Sequence, residues 1–233
     1  MACLHFIGGE KGGVGKSVMS RLIAQYCIDR GIPFVGYDTD ASHGTFARFY
    51  ADYAAPVVIG SFASLDQVVE TLCSDPTRHA LVDLAAQTLR PLREWSEASG
   101  MAELLAEQGH RAVFWHVMDD SVDALSTLGT LCEAFGATVS YVIVLNQGRG
   151  SSFAHVEASP QLAAARRLGA EVITLQRLHE TSMHKIDLAN ASFWAAVNRG
   201  ESGAALGMLE RQRVKVWLRR VYQDLEPIVR PPA

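Results

Sequence analysis

Residues 9–17 read Gly-Glu-Lys-Gly-Gly-Val-Gly-Lys-Ser and lie between the apolar run Leu4-His5-Phe6-Ile7 and a helix-like stretch that opens at Ser17. A turn rich in glycine, here Gly12, Gly13 and Gly15, leaves backbone N–H groups free to surround phosphate oxygens. The helix start that follows adds partial positive charge. Lys16 can reach the β- and γ-phosphates, the Ser17 hydroxyl can ligate Mg²⁺, and Val14 and Val18 belong to the same binding stretch. These residue types in this order point to a nucleoside triphosphate and its magnesium ion. Glu10 stands where the common pattern has its first glycine, so its carboxylate must turn away from bound phosphate.

Three further apolar runs end in residues suited to the same ligand. Phe34–Asp38 is followed by Thr39 and Asp40, which puts the carboxylates of Asp38 and Asp40 one residue apart at a strand's carboxyl end; His43-Gly44-Thr45 continue the loop. Ala80-Leu81-Val82 ends in Asp83, the single carboxylate needed to hold Mg²⁺ directly or through water. Gln87, shortly after it, reads either as a γ-phosphate sensor or as a solvated loop residue. Val142-Ile143-Val144-Leu145 ends in Asn146, whose amide offers both a donor and an acceptor to a base edge. Asp120 and Asp123 fit a helix start better than a metal site.

These residues need elements to hold them. Strand-like runs recur at 3–8, 34–38, 79–84, 111–118, 138–146 and 171–175, several of them nearly continuous in Val, Ile, Leu and Phe, as suits strands buried on both faces. Helical patterns at 17–30, 64–74, 89–108, 121–134 and 160–168 alternate with them. The alternation predicts a parallel sheet covered by helices on both faces, with ligands at the strands' carboxyl ends. Residues 147–159 read as a polar loop. Two more helices, about 180–198 and 204–225, are expected on the sheet's flank, giving a single domain over 1–233.

With 233 residues and 48% hydrophobic content, the chain can bury a full core. A net charge of −4 excludes a global basic field for nucleic acid or anionic lipid. Cys3, Cys27, Cys73 and Cys132 form no C-x-x-C pair, and no histidine spacing matches a zinc motif, so structural or catalytic zinc is disfavoured. No secretory leader and no apolar run of about 18 residues is present, which predicts a soluble, cytoplasmic protein. On the last helix Arg211, Arg213, Lys215, Arg219 and Arg220 could contact DNA phosphates. The same helix could lie on a membrane surface, or pack its apolar side inward with a solvated basic side.

Taken in order, Lys11-Gly12-Gly13-Val14-Gly15-Lys16-Ser17, Asp38-Thr39-Asp40, Asp83 and Asn146 resemble the deviant phosphate-loop ATPases of the ParA/MinD family over residues 2 to about 178. The resemblance implies a three-layer P-loop NTPase fold with a mostly parallel central sheet, ATP and Mg²⁺ as ligands, and hydrolysis stimulated by dimerisation or a partner. On that basis Lys11 reaches across a dimer interface to the second subunit's nucleotide, Lys16 and Asp40 share in catalysis, and Asp40 positions the attacking water. Asp38 joins Ser17 and Asp83 around the metal, and Asn146 recognises adenine. The family more often has proline or glycine where this chain has Ala85-Ala86-Gln87. Leu178–Asp187 and Ser192-Phe193-Trp194 look most like the ParA-like ATPases of plasmid conjugation and mobilisation. That narrower likeness implies an ATP-dependent homodimer acting on a relaxosome, coupling or partition protein. A DNA-binding or membrane-surface positioning ATPase, or a metabolic enzyme on the same scaffold, are the other readings.

Overall fold

The structure is a computed structural model that describes residues 2–40, 44–199 and 204–230. β1 (Cys3–Gly8) leads through the phosphate loop into α1 (Lys16–Arg30), then β2 (Phe34–Asp38), α2 (Thr45–Phe49) and β3 (Ala54–Pro56). α3 (Phe62–Ser74), β4 (His79–Asp83), α4 (Leu89–Ser99), α5 (Met101–Glu107), β5 (Arg111–Met118) and α6 (Val122–Phe135) follow. The remainder is β6 (Ser140–Asn146), α7 (Ala154–Glu157), α8 (Pro160–Arg167), β7 (Glu171–Leu175), α9 (Glu180–Leu188), α10 (Phe193–Asn198) and α11 (Met208–Val229).

The strands form one seven-stranded sheet in the order β3-β2-β4-β1-β5-β6-β7. The expectation was a mostly parallel sheet; every neighbouring pair is parallel. β1 and β4 are buried along their whole length because helices cover both faces, which is why their sequences read as unbroken apolar runs. Alternate residues of β1 enter different cores. Cys3 and Ile7 face the layer of α1, α9, α10 and α11, and Leu4 and Phe6 face the layer of α3 to α6 and α8.

Two expected helices are each divided in two. The pattern over 89–108 breaks at Gly100, whose φ of 60° ends α4 and begins α5. The pattern over 180–198 breaks at Asn190, with φ 46°, and restarts where the Ser192 hydroxyl accepts the Ala195 N–H. The edge strand β3 and the short helices α2 and α7 were not anticipated, being too short to show a period. The last helix, expected over about 204–225, is α11; it buries Val214, Trp217, Leu218, Val221 and Leu225, an i, i+3, i+4, i+7 stripe, in the core shared with α1.

Candidate functional site

β1 and β4 end side by side beneath the phosphate loop, with Ile7 opposite Asp83. The loop closes over them by glycine geometry. Gly15 has φ 104°, and a β-carbon there would collide with the Asn146 amide nitrogen. Nothing lies within 4 Å of the β-carbon direction at Gly12 or Gly13, so the loop's outer side is open. Lys16 folds back, with Nζ donating to the carbonyls of Gly9 at 2.8 Å and Lys11 at 2.9 Å. Burial lowers its pKa, opposed by the charges of Asp83, Glu10 and Asp40. A cation held only by carbonyl oxygens is ready to be exchanged onto a stronger anion.

Asp83 is buried beneath Lys16. Its Oδ1 accepts the Ser20 hydroxyl at 2.9 Å, and the Ser17 hydroxyl bonds the same carboxylate. Burial pushes its pKa up to about 7, with a contribution from Asp38, its register neighbour on β2. A carboxylate that burial makes costly to ionise, beside a serine hydroxyl, is a hard oxygen donor set that fits Mg²⁺. Asp38 is placed differently from expectation. Its two oxygens accept the backbone N–H groups of Asp40 and Ala47, each at 3.0 Å, so it shapes the Asp40 turn and anchors α2. Asp40 follows at the same strand end, and His43 lies outside the described residues.

The two loops after β2 and β4 are tied together. Thr39 donates its N–H and its hydroxyl to the Asp83 carbonyl, and the Ala85 N–H donates to the Thr39 hydroxyl at 2.7 Å. Gln87 is exposed with φ 61°, a left-handed conformation that costs a non-glycine residue about 1 kcal/mol or more. The Glu10 carboxylate does turn away from the loop's mouth: Oε1 accepts the Leu89 N–H at 3.0 Å, at the first residue of α4. Neither Ser20 nor Thr39 was singled out in the sequence. Ser20 lies one helical turn beyond Lys16, and that spacing was the available signal.

No family model matches the chain. TraL of Escherichia coli is 26% identical over 242 aligned residues, covering 97% of this chain and 98% of TraL. MobD of Acidithiobacillus ferrooxidans is 25% identical over 178 residues, covering 73% of this chain and 76% of MobD. Among solved structures, the MinD cell division protein of Aquifex aeolicus matches with TM-score 0.56 at 12% identity, covering 96% of this chain and 98% of that one. MinD of Pyrococcus horikoshii complexed with Mg-ADP matches with TM-score 0.51 at 14% identity, over 94% of this chain. The chain has the MinD fold.

Two residues expected at the ligand are engaged elsewhere in this MinD-type fold. Asn146, buried at the end of β6, donates Nδ2–H to the Val14 carbonyl at 2.7 Å and accepts the Gly148 N–H on Oδ1 at 2.9 Å. It props the phosphate loop from below. Lys11 donates to Asp119 Oδ2 at 2.7 Å and to the Ser121 hydroxyl at 3.1 Å, at the start of α6 in the same chain. Asp120 departs from the helix-start reading: its Oδ2 accepts the N–H groups of Ser151 and Ser152 and fixes the loop after β6, while Ser121 caps α6.

Among the described residues, Cys3, His5 and His79 form the one group whose possible ligand atoms lie within 4.8 Å of one another. Trp115 Nε1 donates to His5 Nδ1 at 3.0 Å, and an indole can only donate. His5 therefore carries its proton on Nε2 and gives it to His79 Nδ1 at 3.0 Å. Arg111 Nε sits 3.4 Å from Cys3 Sγ, adding a positive charge. The group is a hydrogen-bonded seam beneath α11, with no lone pair aimed at a shared centre.

Proposed function

We propose that this chain is an ATP-hydrolysing switch that binds Mg-ATP at the loop of residues 9–17, pairs with a second copy in that state, and releases its partner complex on hydrolysis. The observation that carries this reading is the meeting of Lys16, Ser17 and Asp83 beneath an open glycine loop, with Asp40 at the neighbouring strand end. Similarity to TraL over 97% of this chain and to MobD over 73% of it supports a place in conjugation or mobilisation, a role we assign to the cytoplasm.

Phosphoryl transfer asks the protein for position and charge more than for covalent chemistry. Lys16 exchanges its two carbonyl partners for phosphate oxygens. Ser17 and Asp83 hold the magnesium ion, which neutralises phosphate charge when bound. Asp40, fixed by the turn that Asp38 shapes, orients the attacking water. Lys11 must leave Asp119 to serve a second copy's nucleotide, where an added cation typically changes rates by roughly 10³ to 10⁵. Asn146 keeps its role beneath the loop and has one further amide hydrogen for an adenine edge.

Light scattering on wild type and Asp40→Ala, with Mg²⁺ and either ATP or ADP, tests the switch. The expected result is doubling of the particle mass with ATP alone, persisting longest in Asp40→Ala. An unchanged mass in every condition overturns it. On an alternative reading, the exposed basic residues of α11, Arg213, Lys215, Arg219 and Arg220, would contact DNA phosphates. On that reading a duplex binds with an affinity that falls steeply as salt rises.

A further inference from the structure

A groove of about 390 Å³ runs between α10 and α11, closed at one end by Asp29 near the C-terminus of α1. Asp29 lies thirteen residues along α1 from Lys16, about 20 Å by helical rise, so the groove is separate from the phosphate loop. Its floor is apolar, formed by Phe193, Val197 and Leu218. On one rim Trp194 leaves 46% of its surface exposed. The backbone of that rim is tied down. The Trp194 N–H donates to Gln25 Oε1 at 2.9 Å, and Asn198 donates to the Trp194 carbonyl at 2.9 Å.

The opposite wall is basic. Lys215 and Arg219, one turn apart on α11, are exposed and make no ion pair among the described residues. The groove's acid, Asp29, forms no ion pair with either cation among the described residues; its Oδ1 accepts the Gln25 amide at 2.9 Å and its Oδ2 the Tyr222 hydroxyl at 2.7 Å. On a helical wheel Met208, 79% exposed, falls on the same face as Lys215 and extends the apolar strip toward the start of α11. An exposed indole, an apolar slot and two cations without an ion pair among the described residues together form a site with a defined complement.

We propose that this groove docks a segment of a partner protein that places an aromatic or branched aliphatic side chain in the slot and carboxylates against Lys215 and Arg219. Shape favours a peptide over nucleic acid, since a phosphate backbone would satisfy the wall and leave the slot empty. The net charge of −4 adds no long-range attraction for a duplex. A tryptophan rim beside cations is the composition of residues that dominate binding energy at protein interfaces. The inference does not depend on nucleotide, and its test uses none.

The probe is a phage-displayed library of 12-residue peptides, panned on the full chain without nucleotide. Selected peptides are then synthesised and titrated by fluorescence anisotropy. Enriched peptides are expected to combine Asp or Glu with Leu, Phe or Trp. Binding should weaken at least tenfold for Lys215→Glu combined with Arg219→Glu, and again for Val197→Trp, which fills the slot. An unchanged melting temperature in the exposed double variant shows that folding is not the cause. Three results would overturn the proposal: no enrichment, enrichment of peptides that bind the double variant equally well, or binding of a 30-base-pair duplex or phosphatidylserine vesicles through Lys215 and Arg219 with no peptide selected.

Discussion

Glu10 puts a carboxylate into a loop built for phosphate, and its hydrogen bond to the Leu89 N–H directs that charge to the N-terminus of α4. Replacing it with alanine leaves a helix-end N–H unpaired, at a cost of about 1 kcal/mol, while removing a negative charge close to Lys16. Glu10→Ala is therefore expected to melt at a lower temperature yet bind a fluorescent ATP analogue more tightly; unchanged affinity would mean that the carboxylate is fully screened from the ligand. Asp119→Asn frees Lys11 from its ion pair at 2.7 Å. If that pair opposes dimerisation, the midpoint for ATP-induced doubling in light scattering shifts several-fold toward lower ATP. The meeting of Lys16 and Ser17 with Asp83 was legible, the first two from spacing within a short motif and Asp83 as the acid that ends an apolar run. The engagements of Asn146 with Val14 and of Lys11 with Asp119 were not, because those partners lie 132 and 108 positions away and meet only once the sheet is assembled.

The segment 178–194 acts structurally as a clasp between helices. Arg21, in the middle of α1, is almost completely buried, stacks on Phe49 at 3.6 Å and on Phe193 at 4.8 Å, and bonds Asp187 of α9 at 2.8 Å. Gln25, one turn further on, accepts from the Tyr50 hydroxyl and from the Trp194 N–H at the start of α10. Removing one partner of such a pair leaves a buried charge, whereas removing both can be nearly neutral. Asp187→Ala is expected to destabilise the protein by about 2 kcal/mol in urea denaturation, and adding Arg21→Met should recover most of it; additive losses would show that the two residues stabilise independently and not as a pair. α1, buried nearly all round, was legible from its ends, and α6 from its apolar period. The breaks at Gly100 and Asn190 were not, since the apolar period continues across both and only the left-handed backbone separates the pieces. β3 escaped because a three-residue edge strand has no alternation to detect.

Across the whole molecule, acid should act through two opposing sets of buried groups. Burial holds His79 and His116 at about 4 and keeps His5 well below its ordinary value, so the unfolded chain takes up protons that the native state refuses. Their contribution to stability is complete above the unfolded histidine value near 6.5 and is lost as pH falls below it, by about 2 kcal/mol for each of His79 and His116 at pH 5. Asp83, raised to about 7, works in the other sense: the native state takes up its proton first, and acidification from pH 7.5 to 5 returns about 3 kcal/mol. Asp83→Asn should therefore lose melting temperature on acidification more steeply than wild type; parallel curves would mean that Asp83 is already ionised without cost. The order in which the layers are made has a consequence for biosynthesis. Every strand has been synthesised by Leu175, but the face beneath Cys3, Ile7 and Trp115 is covered only in part, by α1, until α11 is complete at Val229. At roughly 5–20 residues per second, those 54 residues leave an apolar sheet face partly open to other nascent chains for about 3–10 s, the interval in which this protein most needs a chaperone.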